Sequence, residues 1–261
     1  MKYCSKGKAI MHFMLNLPIL ITEQLPIVFI VVIYVSAGYF VQYSFGIDDM
    51  MNLRISYNLL NILTVYFSLF FLCVQIMRGN SRKYLNLRAF LGLLVVYILA
   101  PPFLSTFASF KQVIPFIQDF NWDYRFMKLD QALHFGVHPW EMFSFLLFNY
   151  RAIQIFDYLY MLWFPILSIM CLWMAWSARR QLRLQFFITA CLIWVLLGTV
   201  LAIFFSSAGP CYFTKVVDNR WNPYKPLMTL LIKINNSMPL FAVKNQFGLW
   251  EFNQNRIWLP V

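Results

Sequence analysis

Apolar residues run through this sequence in long stretches without charged positions, rather than alternating with polar ones. A helix needs about 20 such residues to cross the hydrocarbon core of a bilayer. Because proline removes a helical hydrogen bond, we expect a break at Pro101-Pro102 and an interruption at Pro165. Five stretches are long enough, and we predict a membrane span in each: residues 25–45, 57–77, 89–110, 158–177 and 184–206.

Three further apolar segments are too short or too polar to cross a bilayer. Residues 9–22 follow three lysines and lack a small-residue cleavage site, so we expect an interfacial helix rather than a signal peptide. Residues 141–150 predict a re-entrant or surface helix. Residues 226–243 predict an amphipathic surface segment that is broken at Asn235-Asn236.

Composition agrees with the bilayer as solvent. The chain has 261 residues, of which 61% are hydrophobic and 12% are charged, whereas soluble domains average roughly 45–50% and 25%. The sequence therefore predicts an all-α fold, a polytopic transmembrane helical bundle with about five spans plus interfacial helices. The five cysteines form no Cys-x-x-Cys pair, and we interpret them as small residues packed between helices.

The net charge of +11 is interpreted as loop bias set by membrane topology, rather than as a nucleic-acid interface. The short loops 78–88 and 178–183 carry bases and no acid, and three lysines lie near the N-terminus. The positive-inside rule places these segments in the cytoplasm. With five spans, residues 111–157 and the tail from residue 207 face the extracytoplasmic side.

These patterns divide the chain into three parts. We predict a cytoplasmic N-terminal segment (1–24), a transmembrane helical domain (25–206) and an extracytoplasmic tail that contains the amphipathic segment (207–261). No repeat or low-complexity linker divides the chain further. The expected location is a membrane, the inner or plasma membrane if the chain is bacterial.

One candidate metal site lies in the aromatic segment before the fourth span. Asp130, His134 and His138 are spaced four residues apart, so a continuous helix would bring them onto one face. A carboxylate and two imidazoles suit a metal such as zinc. However, Gly136 and Pro139 argue that any helix frays here, and the favoured interpretation is an interfacial segment without a metal.

A second candidate site follows the fifth span, where Ser-Ser-Ala-Gly-Pro-Cys-Tyr forms a predicted turn. Glycine lets backbone amides approach a phosphate closely, and serine hydroxyls donate to it. Bases that follow the turn suit a phosphorylated lipid headgroup. The alternative interpretation is a helix end with solvated charges. The candidate headgroup-binding residues are Ser206, Ser207, Gly209, Lys215, Arg220 and Lys225.

Two motifs carry a family resemblance over about residues 85–255. One runs from Leu129-Asp130 through Phe135-Gly136 to Pro139-Trp140, and the other is the run from Ser206 to Phe213 after a span. On these motifs the chain resembles the membrane-bound type 2 phosphatidic acid phosphatase superfamily. Within it, the chain is similar to the inositolphosphotransferase branch that contains inositol phosphorylceramide synthases.

The resemblance implies helical membrane enzymes with an extracytoplasmic active site and no cofactor. In the family a histidine attacks a phosphoester, and a second histidine, oriented by an aspartate, acts as acid and base. The family's lysine and Arg-Pro motif is matched only by Lys215 and Arg220, with Pro223 displaced. The family's histidine motifs follow the serine turn, whereas the histidines of this chain precede it. We therefore assign no catalytic residue and expect an incomplete or inactive homologue.

A non-enzymatic role is the alternative hypothesis. The bundle would then bind anionic lipid or a second membrane protein through its aromatic segments and the bases Lys215, Arg220 and Lys225. A transporter is disfavoured because charged residues are nearly absent within the spans, and Asp157 lies only at the edge of one. The expected partners are membrane lipids, anionic or phosphorylated, and not nucleic acid.

Overall fold

The structure is a computed structural model, and it describes most of the chain outside the N-terminal segment and the second predicted span. The predicted span 57–77 and Arg220 therefore lie outside the described residues, as does nearly all of segment 9–22. Within the described part every regular element is a helix, which confirms the all-α class. The described residues are 22–45, 87–147, 149–176, 179–217 and 221–257.

The helices are numbered in chain order. They are α1 (Leu25–Ser44), α2 (Leu87–Ile117), α3 (Asp123–Leu133), α4 (Pro139–Met142), α5 (Ser144–Leu147), α6 (Tyr150–Trp176), α7 (Arg180–Val195), α8 (Ala202–Phe204), α9 (Phe213–Val216), α10 (Lys225–Ser237) and α11 (Phe241–Ile257). A π-helical turn, Leu196–Leu201, joins α7 to α8, and a 3₁₀ turn, Pro210–Tyr212, precedes α9.

Four helical segments of the described chain are long and apolar enough to cross a membrane: Leu25–Ser44, Leu91–Ile117, Tyr150–Trp176 and Arg180–Phe204. They correspond to the first, third, fourth and fifth predicted spans. Helix α6 begins at Tyr150, before the predicted start at residue 158, and so includes Asp157 within the helix. Residues 141–150 contain the end of α4 and the whole of α5, two short helices, rather than one surface helix.

The prolines of the third and fourth spans do not end their helices, so the predicted break at Pro101-Pro102 is wrong. In hydrocarbon the backbone has no water to bond, and a helix with a locally lost bond still satisfies more groups than any open conformation. Hydroxyl side chains beside the prolines bond back into α2. Thr106 Oγ1 donates to Pro102 O at 2.8 Å, and Ser109 Oγ donates to Ser105 O at 2.9 Å.

The predicted break at Asn235-Asn236 is also displaced. Helix α10 continues to Ser237, and the connection to α11 lies at residues 238–240. Asn235 Oδ1 accepts a hydrogen bond from Leu240 N at 2.8 Å. The asparagine therefore stays in the helix while its side chain stabilises the turn that follows, as short polar side chains near helix ends do.

The described residues form two compact units. The first unit takes the described residues up to Lys111 together with Leu167–Val200, and the second takes Gln112–Ile166 and the described residues from Leu201 onward. These units are defined by contacts within the chain. The predicted division at residues 206 and 207 concerns position in the membrane and stays a prediction.

The first unit is built around an apolar core to which α1, α2, α6 and α7 contribute. A buried hydrogen bond of 2.7 Å joins Tyr34 Oη in α1 to Thr199 Oγ1 in the π-helical turn. In such surroundings a hydroxyl without a partner costs free energy, so the pair fixes where the two helices meet. The buried core residues are Ile27, Val31, Tyr34, Val96, Phe103, Phe110, Ala175, Phe187 and Cys191.

Helices α2 and α6 approach closely at Gly92. A Cβ atom at this position would clash with the Ala175 carbonyl oxygen, which is backbone and has no rotamer to change. Small residues allow helix backbones to meet in this way inside membranes. Gly92 is therefore required by packing and not by backbone conformation.

The second unit contains two smaller apolar clusters. One joins α6, α10 and α11 through Ile153, Ile234, Leu240 and Val243. The other joins α3, α9 and the loop before α10 through Met127, Phe213 and Tyr224. The second cluster supports the segment that contains the serine turn, so the candidate site rests on packed side chains.

We predict that Gly92→Ala destabilises the protein by about 1–3 kcal/mol, because the added methyl group forces the backbones of α2 and α6 apart. The matched control is Gly248→Ala in α11, where a Cβ meets nothing within 4 Å. That control should leave stability unchanged or raise it by up to about 1 kcal/mol, since alanine favours the helix. Thermal unfolding in detergent compares the two; equal midpoints would contradict the close approach.

Candidate functional site

The predicted serine turn is held by a buried carboxylate. Asp123, the first residue of α3, is only 4% exposed. Ser207 Oγ and Gly209 N donate to its Oδ1, both at 2.8 Å, and Ala208 N donates to its Oδ2 at 3.0 Å. Several hydrogen bonds from amides and hydroxyls compensate a carboxylate that has left water. Asp123 is thus the residue that organises the turn.

The local sequence explains why the chain can turn here. Gly209 has φ 87°, a conformation that glycine adopts without the steric cost of a Cβ. Pro210 then begins the 3₁₀ turn with its φ already fixed. On the preceding side, Ser206 Oγ donates to Gln118 O at 3.1 Å, and Ser206 O accepts from Trp122 N at 3.2 Å. The turn is therefore tied to the α2–α3 connection through Ser206 and to the first residue of α3 through the next three residues.

These hydrogen bonds show what the predicted phosphate-binding groups of the turn contact in the structure. Ser207 and Gly209 converge, as a phosphate site would need, but they converge on the carboxylate of Asp123. Ser206 is fully buried and turns to Gln118 instead. An anion at this turn would have to displace Asp123, which costs the hydrogen bonds just described. Any headgroup that these residues help to bind is therefore bound beside the turn.

The predicted bases lie after the turn. Lys215 in α9 is exposed, and its Nζ lies 4.2 Å from the centroid of the Trp250 indole. Tyr212 stacks on the same indole at 4.8 Å, and its hydroxyl donates to Gln246 Oε1 at 2.8 Å. Burial, and then the nearby Cys211, raise the pKa of Tyr212 to about 12, so it stays a donor at neutral pH. Lys225 is exposed at the start of α10.

Two further bases were missed by the sequence analysis. Arg125 in α3 lies over the Trp122 ring, with 4.8 Å from the guanidinium carbon to the centroid. Lys128 lies 5.8 Å from the centroid of Tyr124 and 6.0 Å from that of Trp221. Both are exposed. The sequence contains a signal for both bases, because Arg125 lies three residues after Trp122 and Lys128 lies four residues after Tyr124. Residues at these spacings share a helix face, where a base can lie over an aromatic ring.

The candidate metal residues do not share a helix face, because α3 ends at Leu133. His134 Nδ1 lies 2.7 Å from Asp130 O, a backbone atom. The next residues, Phe135 and Gly136, have φ of 56° and 87° and turn the chain away. Among the described residues no group of three or more His, Cys, Asp and Glu side chains could hold a metal.

His138 lies in a buried aromatic setting of its own. It is 3% exposed, and its Nε2 lies 3.2 Å from Gln131 Nε2. Its ring is 5.8 Å from that of Trp221 and 5.5 Å from that of Tyr224. Burial raises the pKa of the Tyr224 phenol, and the charges of Asp130 and Asp123 raise it further. His138 and Tyr224 are therefore in ring contact, and the charges of two carboxylates act on that phenol.

A second buried carboxylate is used in the same way as Asp123. Asp157 in α6 is 7% exposed and accepts hydrogen bonds from Phe241 N at 2.7 Å and Ala242 N at 2.8 Å. These amides begin α11, so Asp157 caps that helix from another helix. Asp157 was predicted to lie at the edge of a span, and its hydrogen-bond donors at the start of α11 were not predicted.

Comparison with known proteins finds no matching family model, no matching curated protein and no matching solved structure. Any function must therefore be inferred from the chemistry of the described residues.

We predict that Asp123→Asn destabilises the second unit by about 1–3 kcal/mol. An amide nitrogen would face backbone donors that now have an acceptor, and at least one buried group would lose its partner. Asp119→Asn, an exposed aspartate in the same connection, is the control and should have little effect. Amide hydrogen exchange should rise at Ala208 and Gly209 in the first variant alone; unchanged exchange there would refute the role of Asp123.

A second prediction concerns Phe135, which is 94% exposed and has φ 56°. Asparagine tolerates this conformation, whereas a β-branched residue does not. Phe135→Asn should therefore be more stable than Phe135→Val by about 1 kcal/mol. Both variants remove the ring, so the difference between their unfolding midpoints reports the backbone alone. Equal midpoints would show that the turn relaxes without cost.

Proposed function

We propose that this chain is an integral membrane protein that binds phosphorylated lipid, and that its resemblance to lipid phosphatases and phosphotransferases reflects this shared ligand. One observation carries the proposal. In the second unit the buried carboxylates Asp123 and Asp157 accept hydrogen bonds from backbone amides. Four exposed bases of the same unit, Arg125, Lys128, Lys215 and Lys225, form no ion pair among the described residues.

This arrangement supports an anionic ligand. Asp123 and Asp157 are held by backbone groups, and no described acid forms an ion pair with these four bases, so the bases remain to attract a phosphate. Each base near a membrane surface contributes about 1 kcal/mol toward anionic lipid. Aromatic rings beneath Arg125, Lys128 and Lys215 suit the boundary between hydrocarbon and water, where tryptophan and tyrosine concentrate.

The described residues support binding better than phosphoryl transfer. A nucleophilic histidine needs a partner that accepts or supplies its proton. His134 Nδ1 instead lies against a backbone oxygen of its own helix, and His138 Nε2 lies against the Gln131 amide. Neither imidazole forms a hydrogen bond to a carboxylate oxygen among the described residues. This observation favours the second candidate function, a lipid-binding membrane protein without enzymatic activity.

Replacement of bases tests the proposal. We expect Lys215→Gln with Lys225→Gln to weaken binding of phosphatidic acid in nanodiscs by about 10- to 30-fold, the effect of roughly 1 kcal/mol for each base. Lys233→Gln with Lys244→Gln is the matched control, because it removes the same charge from exposed positions of α10 and α11. The control should weaken binding by less than about 3-fold. Equal losses in both double variants would show that only net charge matters and would overturn the site.

A second measurement separates the two candidate functions. Purified chain is incubated with radiolabelled phosphatidic acid, and both released phosphate and acid-labile phosphohistidine are measured. Binding without either product supports the non-enzymatic role. A phosphohistidine that disappears in His134→Gln or His138→Gln would assign the transfer step to these residues and refute the binding-only role.

A further inference from the structure

The first unit contains a cavity of about 160 Å³. All of its lining residues belong to this unit, and its walls are almost wholly apolar. Val96, Phe103, Leu172 and Cys191 belong to the wall and are buried. Leu104 also lines the cavity and is 41% exposed, so the cavity reaches the surface of a predicted span. Hydrocarbon therefore has a path to it.

The same cavity has one charged lining residue, Arg183, which is 1% exposed. Its guanidinium Nη2 lies 3.6 Å from Glu23 Oε2, and Arg180 Nε lies 3.9 Å from Glu23 Oε1. Two guanidinium groups lie against one carboxylate. The side chain of Arg180 is 58% exposed, so its guanidinium can be reached from outside.

Most of this cavity is not expected to hold water, because water needs two to four polar partners and only Gln24, Ser168 and Arg183 supply polar side chains to its wall. A cavity of about 150 Å³ with leucine, isoleucine and phenylalanine walls takes a benzene-sized molecule. An empty cavity would forfeit the dispersion contacts of its walls. In a membrane the surrounding solvent is lipid hydrocarbon, which can supply those contacts.

We infer that this cavity binds the end of an acyl chain of an anionic lipid, whose headgroup lies at Arg180, Arg183 and Glu23. The apolar walls select the hydrocarbon chain, and the exposed guanidinium of Arg180 at one end attracts the anionic headgroup. This site is built from different residues than the headgroup site proposed in the second unit.

The test uses the purified full chain, delipidated and then titrated with phosphatidylglycerol or phosphatidylcholine, with bound lipids counted by native mass spectrometry. Ala100 lines the cavity, and Ala100→Phe fills it. We expect this variant to retain one lipid fewer than the original chain. Ala108→Phe is the matched control, because Ala108 is exposed on the same helix and does not line the cavity; it should retain the original number.

Ala100→Leu serves as a milder filling variant, and only variants with a cooperative unfolding transition are compared. Unchanged lipid number in a folded filling variant would overturn the site. Arg180→Gln should reduce the preference for phosphatidylglycerol over phosphatidylcholine by about 5-fold, the effect of roughly 1 kcal/mol. An unchanged preference would overturn the assignment of the anionic headgroup.

The titration is repeated in the Lys215→Gln, Lys225→Gln background to separate this site from the proposed headgroup site. Loss of one phosphatidylglycerol on filling the cavity in that background supports a site in the first unit. If filling has no effect there, the lipid seen in the original chain belongs to the bases of the second unit, and the inference is wrong.

Discussion

Hydrocarbon offers the backbone no hydrogen-bonding partner, and the described structure depends on this constraint. It keeps α2 and α6 helical through their prolines, although proline usually ends a helix in water. It also accounts for the polar side chains that remain among apolar ones. Thr106 and Ser109 bond to carbonyls of their own helix, and Tyr34 bonds to Thr199 across two helices. In each case the polar group has a hydrogen-bond partner within the protein.

Burial inside the protein imposes a related constraint on the second unit and explains how it uses two of its acids. Backbone amides at the start of a turn or helix have no partner within that element. Asp123 supplies acceptors to the serine turn, and Asp157 supplies them to α11. Both carboxylates therefore serve the structure of the second unit.

The sequence could predict what depends on local composition. Long uncharged stretches gave the all-α class and the spans at α1, α2, α6 and α7, because hydrophobic length alone decides them. The partner of Ser207 and Gly209 could not be predicted, since Asp123 lies at least 84 residues away and has no motif around it. The spacing of Asp130, His134 and His138 could not decide whether they share a helix face, because the helix end at Leu133 depends on the turn at Phe135 and Gly136 and not on periodicity.

The cap on α11 can form only after both of its parts have been synthesised. Asp157 is separated from its first amide partner, Phe241, by 84 residues of chain. At about 5–20 residues per second, translation delivers that partner roughly 4–17 seconds after the aspartate. During this interval α6 has an apolar sequence around a carboxylate whose amide partners do not yet exist. Until α11 has been synthesised, the carboxylate of Asp157 therefore needs water or another temporary hydrogen-bond donor.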